Sequence, residues 1–140
     1  MNYDVIIVGA GPGGYVCGIR ASQLGQKVAI VDREWLGGVC LNVGCIPSKS
    51  LLRNAEVAHT LLHRGEEYGF SFENLSLDYG IAVERSRQVA KRLTKGVEFL
   101  MKKNNVDVHF GTACLRSAST IEVMGSDGRL DMLAAKNIVV

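Results

Sequence analysis

Long hydrophobic runs are missing from this 140-residue chain. No apolar stretch approaches the roughly 20 residues that a membrane-spanning helix requires. An excess of one charge is missing as well. The 16 Lys and Arg stand against 14 Asp and Glu, a net charge of +2, which gives no broad reason to expect a nucleic-acid or membrane partner. Cysteine is sparse: four residues, Cys17, Cys40, Cys45 and Cys114, too few and too scattered for a secreted disulfide scaffold. Internal repeats, low-complexity tracts and linkers are absent. The start, Met1-Asn2-Tyr3-Asp4, runs into an apolar strand pattern with no basic region and no cleavage site before it. A cytoplasmic location is the expectation.

Glycine, by contrast, is plentiful. There are 16 in 140 residues, where average usage of roughly 7 % would give about ten. Several places where the backbone turns tightly or approaches something closely are therefore expected. One domain with a real core fits this length.

The first half of the chain reads as alternating strand and helix. DVIIV (4–8) is a short, nearly continuous apolar run rich in β-branched residues, suited to a strand buried on both faces. GAGPGG (9–14) follows, then a helical stretch with Val16, Ile19, Arg20, Ser22 and Gln23 that Leu24-Gly25 stops. KVAIVD (27–32) is a second buried strand. Together these make a βαβ unit. REWLGGVCLNVG (33–44) reads as a loop. A helix is expected from about Pro47 to His63, with Leu51, Leu52, Ala55, Ala58 and Leu62 on one face. Residues 65–80 look irregular. A second long helix fits about 80–103, with Val83, Ala90, Leu93, Val97, Leu100 and Met101 on one face and Lys102 and Lys103 in its last turn.

From Val106 onward the pattern is β: VDVHF (106–110), TIEVM (120–124), RLDML (129–133) and NIVV (137–140), with GSDG (125–128) as a hairpin loop. The sequence closes on an apolar strand without a polar tail. That suggests a fragment cut from a longer chain.

The spacing Gly9-x-Gly11-x-x-Gly14 sits where a dinucleotide fingerprint must, after a strand and opening a helix. Gly9 permits the tight turn, Gly11 admits a pyrophosphate close to the backbone, and Gly14 lets helix and strand pack closely. The helix N-terminus adds N–H groups and the positive end of a dipole. Asp32 ends the second strand, where its carboxylate can accept hydrogen bonds from both ribose hydroxyls and disfavours a 2′-phosphate. FAD and NAD both stay open on these residues, and a glycine-rich turn without a ligand is the plainer alternative.

CLNVGCIPSK (40–49) places two cysteines five positions apart. In an ideal helix their Cα atoms would be about 8.6 Å apart, beyond the roughly 4.4–6.8 Å of a disulfide. A bridge therefore demands a distorted turn. Gly44 is permissive, and Pro47 cannot donate to the Val43 carbonyl. A bridge at a helix entry would be a working redox pair, since closing so short a loop adds little stability. A zinc site would need a second pair of ligands. Cys17 and Cys114 do not supply one, and His59 and His63 share a helix face without an acid or third ligand. No metal is expected, although a metal site and inert buried thiols remain as alternatives.

With these motifs in hand, GAGPGG, Asp32 and GGVCLNVGCIPSK (37–49) together resemble the flavin-dependent pyridine nucleotide–disulfide oxidoreductases. The stretch TKGVEFLMKKNNVDVHFGTA (94–113) carries the same likeness, so it covers essentially the whole chain. CLNVGCIPSK followed by Leu51-Leu52 most resembles the members that oxidise dihydrolipoamide, with the mercuric and glutathione reductases sharing the frame. The resemblance implies an α/β, Rossmann-like FAD-binding domain, a parallel sheet with helices plus a small antiparallel β-meander, spanning residues 1–140 as the N-terminal part of a larger enzyme.

It further implies FAD in this fold. Gly9, Gly11, Gly13 and Gly14 would line the pyrophosphate and Asp32 the ribose. Gly38, Val39 and Cys40 would run beside the ribityl and pyrophosphate portion, and Thr112 and Ala113 would approach the adenine through their backbone. Cys45 would be the thiolate against the flavin, Cys40 the interchange thiol, and Lys49 a charge near the ring; an exposed first-turn lysine is the plainer reading of Lys49. Asp32 departs mildly from the family, where Glu is common. The family's nicotinamide-binding and dimerisation domains, with the catalytic His–Glu pair, have no counterpart here. His59, His63 and His109 are expected to be surface or partly buried structural residues. NAD, a homodimeric parent, dihydrolipoamide as substrate and a 2-oxo acid dehydrogenase complex are implied for the longer enzyme. A stand-alone dinucleotide-binding redox module is a rival reading. So is an acidic partner for residues 84–103, which carry seven Lys or Arg against two Glu.

Overall fold

The computed structural model describes residues 3–140; Met1 and Asn2, the first half of the amino-terminal stretch read above, lie outside the described residues. The glycine-linked unit folds as β1 (Tyr3–Val8), α1 (Pro12–Gln23) and β2 (Val28–Asp32). Then come α2 (Gly38–Asn42), α3 (Cys45–Arg64), a single 3-10 turn (Glu66–Tyr68) and α4 (Tyr79–Lys103). Four strands finish the chain: β3 (Asp107–Phe110), β4 (Thr112–Ser117), β5 (Thr120–Met124) and β6 (Leu130–Val139).

The strand order is β3-β2-β1-β6-β5-β4. The first four are parallel and the last three form an antiparallel meander that shares β6. Alternation along β1 and β2 separates two cores. Val5, Ile7, Val28 and Ile30 pack toward the helices with Val97 and Met101 of α4. Ile6, Ala29 and Val31 pack against Ile121, Val123 and Leu133 of the meander. Both faces of β1 and β2 are thus covered, which is why DVIIV and KVAIVD read as continuous apolar runs rather than as alternation. Gly18 makes the α1 packing possible, because a Cβ there would already touch Ile7 and Val28.

Five details differ from the sequence expectations. The loop 33–44 contains α2, and α3 starts at Cys45, ahead of Pro47. Proline is tolerated there because the first-turn N–H groups of a helix have no internal partner. The segments RLDML and NIVV are one strand, β6. Its first half pairs with β5 and its second half with β1, so the polar Lys136-Asn137 pair interrupts the hydrophobic pattern without ending the strand. Strand β4 escapes the apolar pattern because nearly all of it is exposed. On α3 the expected apolar face is incompletely covered: Leu52 is 54 % and Leu62 52 % exposed.

The GSDG hairpin forms, with Gly125 N–H donating to the Arg129 carbonyl at 2.9 Å. Helix α4 is capped by Asp78, whose Oδ1 accepts the Ile81 N–H at 3.2 Å. No helix among the described residues is long and apolar enough to cross a membrane.

Candidate functional site

The glycine turn joins the C-terminal end of β1 to α1. Gly11 caps α1 without any side-chain acceptor, and Pro12 opens the helix. The N–H groups of Gly13 and Gly14 therefore lack internal partners and, with the helix dipole, suit an anion. Gly14 is required by contact: a Cβ there would fall on the Gly9 carbonyl. Gly38 has φ +58°, and a Cβ on it would stand 2.8 Å from the Gly11 Cα. The second glycine pair is thus pressed against the first, and Gly37 N–H donates to the Ala10 carbonyl at 2.8 Å. A Cβ on Gly9, Gly11 or Gly13 would meet nothing within 4 Å. That side of the loop is open.

A cleft of about 360 Å³ lies over the carboxyl ends of β1 and β2, within the usual range for small-ligand sites. Gly9, Asp32, Gly38, Val39, Thr112 and Ala113 all line it. The crevice beyond the carboxyl ends of parallel strands is where an open α/β sheet binds its ligand. Glu34, Trp35 and Gly111 also line it and were not singled out by motif reasoning. A Cβ on Gly111 would meet the Met124 carbonyl at 2.6 Å, a constraint set by the β3–β4 corner and invisible in sequence.

Asp32 is already engaged. Its Oδ2 accepts the Ala10 N–H at 2.7 Å, and its Oδ1 accepts those of Glu34 and Trp35 at 2.9 and 3.1 Å. A carboxylate offers about four lone-pair sites. One is left for a ligand hydroxyl, rather than the two that a pair of ribose hydroxyls would use.

Cys40 and Cys45 are joined by a disulfide, with Cα atoms 4.6 Å apart. The distorted turn that the spacing demands is the break between α2 and α3. Gly44 leaves helical geometry at φ −113° and ψ −105°, while the N–H groups of Val43 and Gly44 both donate to the Val39 carbonyl at 3.0 and 2.7 Å. Cys40 is half-buried and Cys45 exposed. Cys45 is the first residue of α3, so the N-terminal dipole favours negative charge on the sulfur released when the bridge opens.

Lys49 lies in the opening turns of α3 and is exposed. His59 and His63 are exposed farther along the same helix, with ring centroids 4.7 Å apart. His109 is partly buried at 3.1 Å from the Tyr3 hydroxyl. No cluster of three or more metal-ligating side chains occurs among the described residues. On α4, Arg85 turns toward Ser50 and Asn54, and no ion pair among the described residues involves any of the seven cations of 84–103.

The fold and this cleft define a dinucleotide-binding α/β module that carries a disulfide on the helix pair beside its second glycine turn. Residues 3–140 match the family model described as pyridine nucleotide-disulphide oxidoreductase. The chain is similar to dihydrolipoyl dehydrogenase of Mycobacterium tuberculosis, 49 % identical over 139 residues that cover 99 % of this chain and 30 % of the relative. It is 51 % identical over 128 residues to that of Corynebacterium glutamicum, covering 91 % of this chain and 27 % of the relative. For the Zymomonas mobilis protein of the same name the figures are 46 % over 139 residues, 99 % and 30 %. The chain belongs to the pyridine nucleotide-disulphide oxidoreductase family. It spans about 30 % of the length of the curated relatives it matches.

Proposed function

We propose that this chain is the FAD-binding, disulfide-bearing part of a dihydrolipoyl dehydrogenase, residues 1–140 forming the first segment of its FAD domain. The Cys40–Cys45 bridge at the entry of α3, beside the second glycine turn, carries this reading. The open glycine loop and the unpartnered N–H groups of α1 fit a pyrophosphate, so Gly9, Gly11, Gly13 and Gly14 would hold it. Asp32 would take one ribose hydroxyl, with Thr112 and Ala113 at the adenine end. Gly38, Val39 and Cys40 would border the ribityl chain, and Lys49 would stand near the ring.

The residues present account for the thiol half of the reaction. A thiolate of dihydrolipoamide attacks Cys40 Sγ. The protein disulfide breaks, a substrate–Cys40 mixed disulfide forms, and the Cys45 thiolate is released at the α3 N-terminus. The second substrate thiol then loses its proton and attacks its neighbour's sulfur. This closes lipoamide and frees Cys40 as a thiolate. Bound FAD would supply the two-electron relay by which the dithiol returns to disulfide at the expense of NAD⁺. The proton acceptor is none of the three histidines. His59 is 14 residues beyond Cys45, about 21 Å along α3, and His109 is occupied with Tyr3. A base from the longer enzyme fills that role, in a homodimer serving a 2-oxo acid dehydrogenase complex in the cytoplasm.

The test is dihydrolipoamide-dependent reduction of NAD⁺ by the full-length protein with and without Cys40→Ser or Cys45→Ser. The reading expects turnover with the native pair and none with either variant. Equal rates in all three would overturn it.

A further inference from the structure

We infer that Asn42 is the positioning residue of the Cys40–Cys45 pair, acting together with Thr94 of α4; the inference rests on the redox reading of that pair. Asn42 lies between the two cysteines. Its side-chain amide nitrogen donates to the carbonyls of Leu36 and Gly38, both at 2.9 Å. Its side-chain oxygen accepts the Thr94 hydroxyl at 3.1 Å. Three of the roughly four hydrogen-bonding sites of a carboxamide are thus satisfied. The two carbonyl partners also fix which end of the amide is nitrogen, because an oxygen there would face two acceptors.

This hold matters because the backbone bonds to the Val39 carbonyl end at Gly44 and do not tie α2 to the rest of the fold. Helix α2 has five residues, too short to persist by its own hydrogen bonds. The helical ladder is broken at Gly44, between the cysteines. Beside the Val39 carbonyl bonds and the buried Leu41, the side chain two positions after Cys40 holds the turn, pinned backward to Leu36 and Gly38 and sideways to α4. Loosening it lowers the effective concentration of one thiol at the other, so the dithiol is favoured over the disulfide. Asn42→Asp would place a carboxylate against two carbonyl oxygens and loosen the turn in the same direction.

The test equilibrates the full-length protein anaerobically in dihydrolipoamide–lipoamide buffers of graded ratio and reads, by alkylation and mass, the peptide that carries both cysteines. Asn42→Ala and Asn42→Asp are expected to shift the dithiol–disulfide equilibrium toward dithiol by at least about tenfold, about 30 mV for this two-electron couple. Thr94→Val, which removes one hydrogen bond, should shift it about threefold. Thr94→Ser, which keeps the hydroxyl, should restore the native value. Ile121→Val in the meander lowers stability without touching α2 and should leave the equilibrium in place. If the Asn42 variants do not fold, the contrast between Thr94→Val and Thr94→Ser decides. Unchanged equilibria in the Asn42 and Thr94 variants, or shifts that Ile121→Val matches, overturn the inference and leave the redox reading standing. A native disulfide that no dihydrolipoamide ratio opens overturns the redox reading itself.

Discussion

The Ala10 N–H donates to the Asp32 carboxylate across 2.7 Å, tying the end of β2 to the turn that follows β1. Ala10 is fully buried, so its N–H has no water to replace this partner. Asp32→Ala would strand this donor and free those of Glu34 and Trp35. We expect a loss of about 1–3 kcal/mol in stability by denaturant titration, even without ligand. Asp32→Asn keeps one acceptor oxygen and should lose less.

Glycines of the same turn should divide by mechanism. Gly14→Ala forces a methyl onto the Gly9 carbonyl, and the expected result is a shifted turn with reduced stability and reduced FAD retention together. Gly13→Ala meets open space. It should unfold at or slightly above the native denaturant midpoint, while any loss shows only in flavin binding, measured by fluorescence quenching.

Tyr3 gives an alkaline signature. Burial first, then its hydrogen bond to Asp107 and that residue's negative charge, push the phenol up to about 12. Unfolded tyrosine ionises near 10, so between those values the unfolded chain has lost a proton that the folded chain keeps. The contribution of Tyr3 is full below pH 10 and is lost as pH rises toward 12. Tyr3→Phe should remove this part of the alkaline decline in thermal midpoint.

The α4 cap is a smaller, local contribution. Asp78→Ala removes the acceptor of the Ile81 N–H and should cost about 1 kcal/mol. The change should appear in the denaturant midpoint and not in the Cys40–Cys45 equilibrium.

How much of this was legible follows from what each feature depends on. The βαβ unit announces itself because β1 and β2 are buried on both faces and, of the glycines between them, Gly14 and Gly18 sit in close contact with their neighbours. The disulfide was legible as a problem of spacing: five positions are too far apart in one helix, and Gly44 is where the helix breaks. The short α2 was not legible, because its position depends on Asn42 reaching Leu36, Gly38 and Thr94. Strand β4 was hidden for the opposite reason, since an exposed strand has no apolar face to alternate. The three backbone partners of Asp32 depend on where Ala10 falls in space, and no spacing rule encodes that.

The central claim is that the Cys40–Cys45 pair works beside a flavin. It is tested most directly by the visible absorption of the purified chain with FAD, before and after anaerobic addition of a dithiol. A flavin band is expected that gains a long-wavelength charge-transfer shoulder on reduction and loses that shoulder in Cys45→Ser. A protein that retains no flavin once excess FAD is removed, or a flavin band that is indifferent to the state of the cysteines, would contradict it.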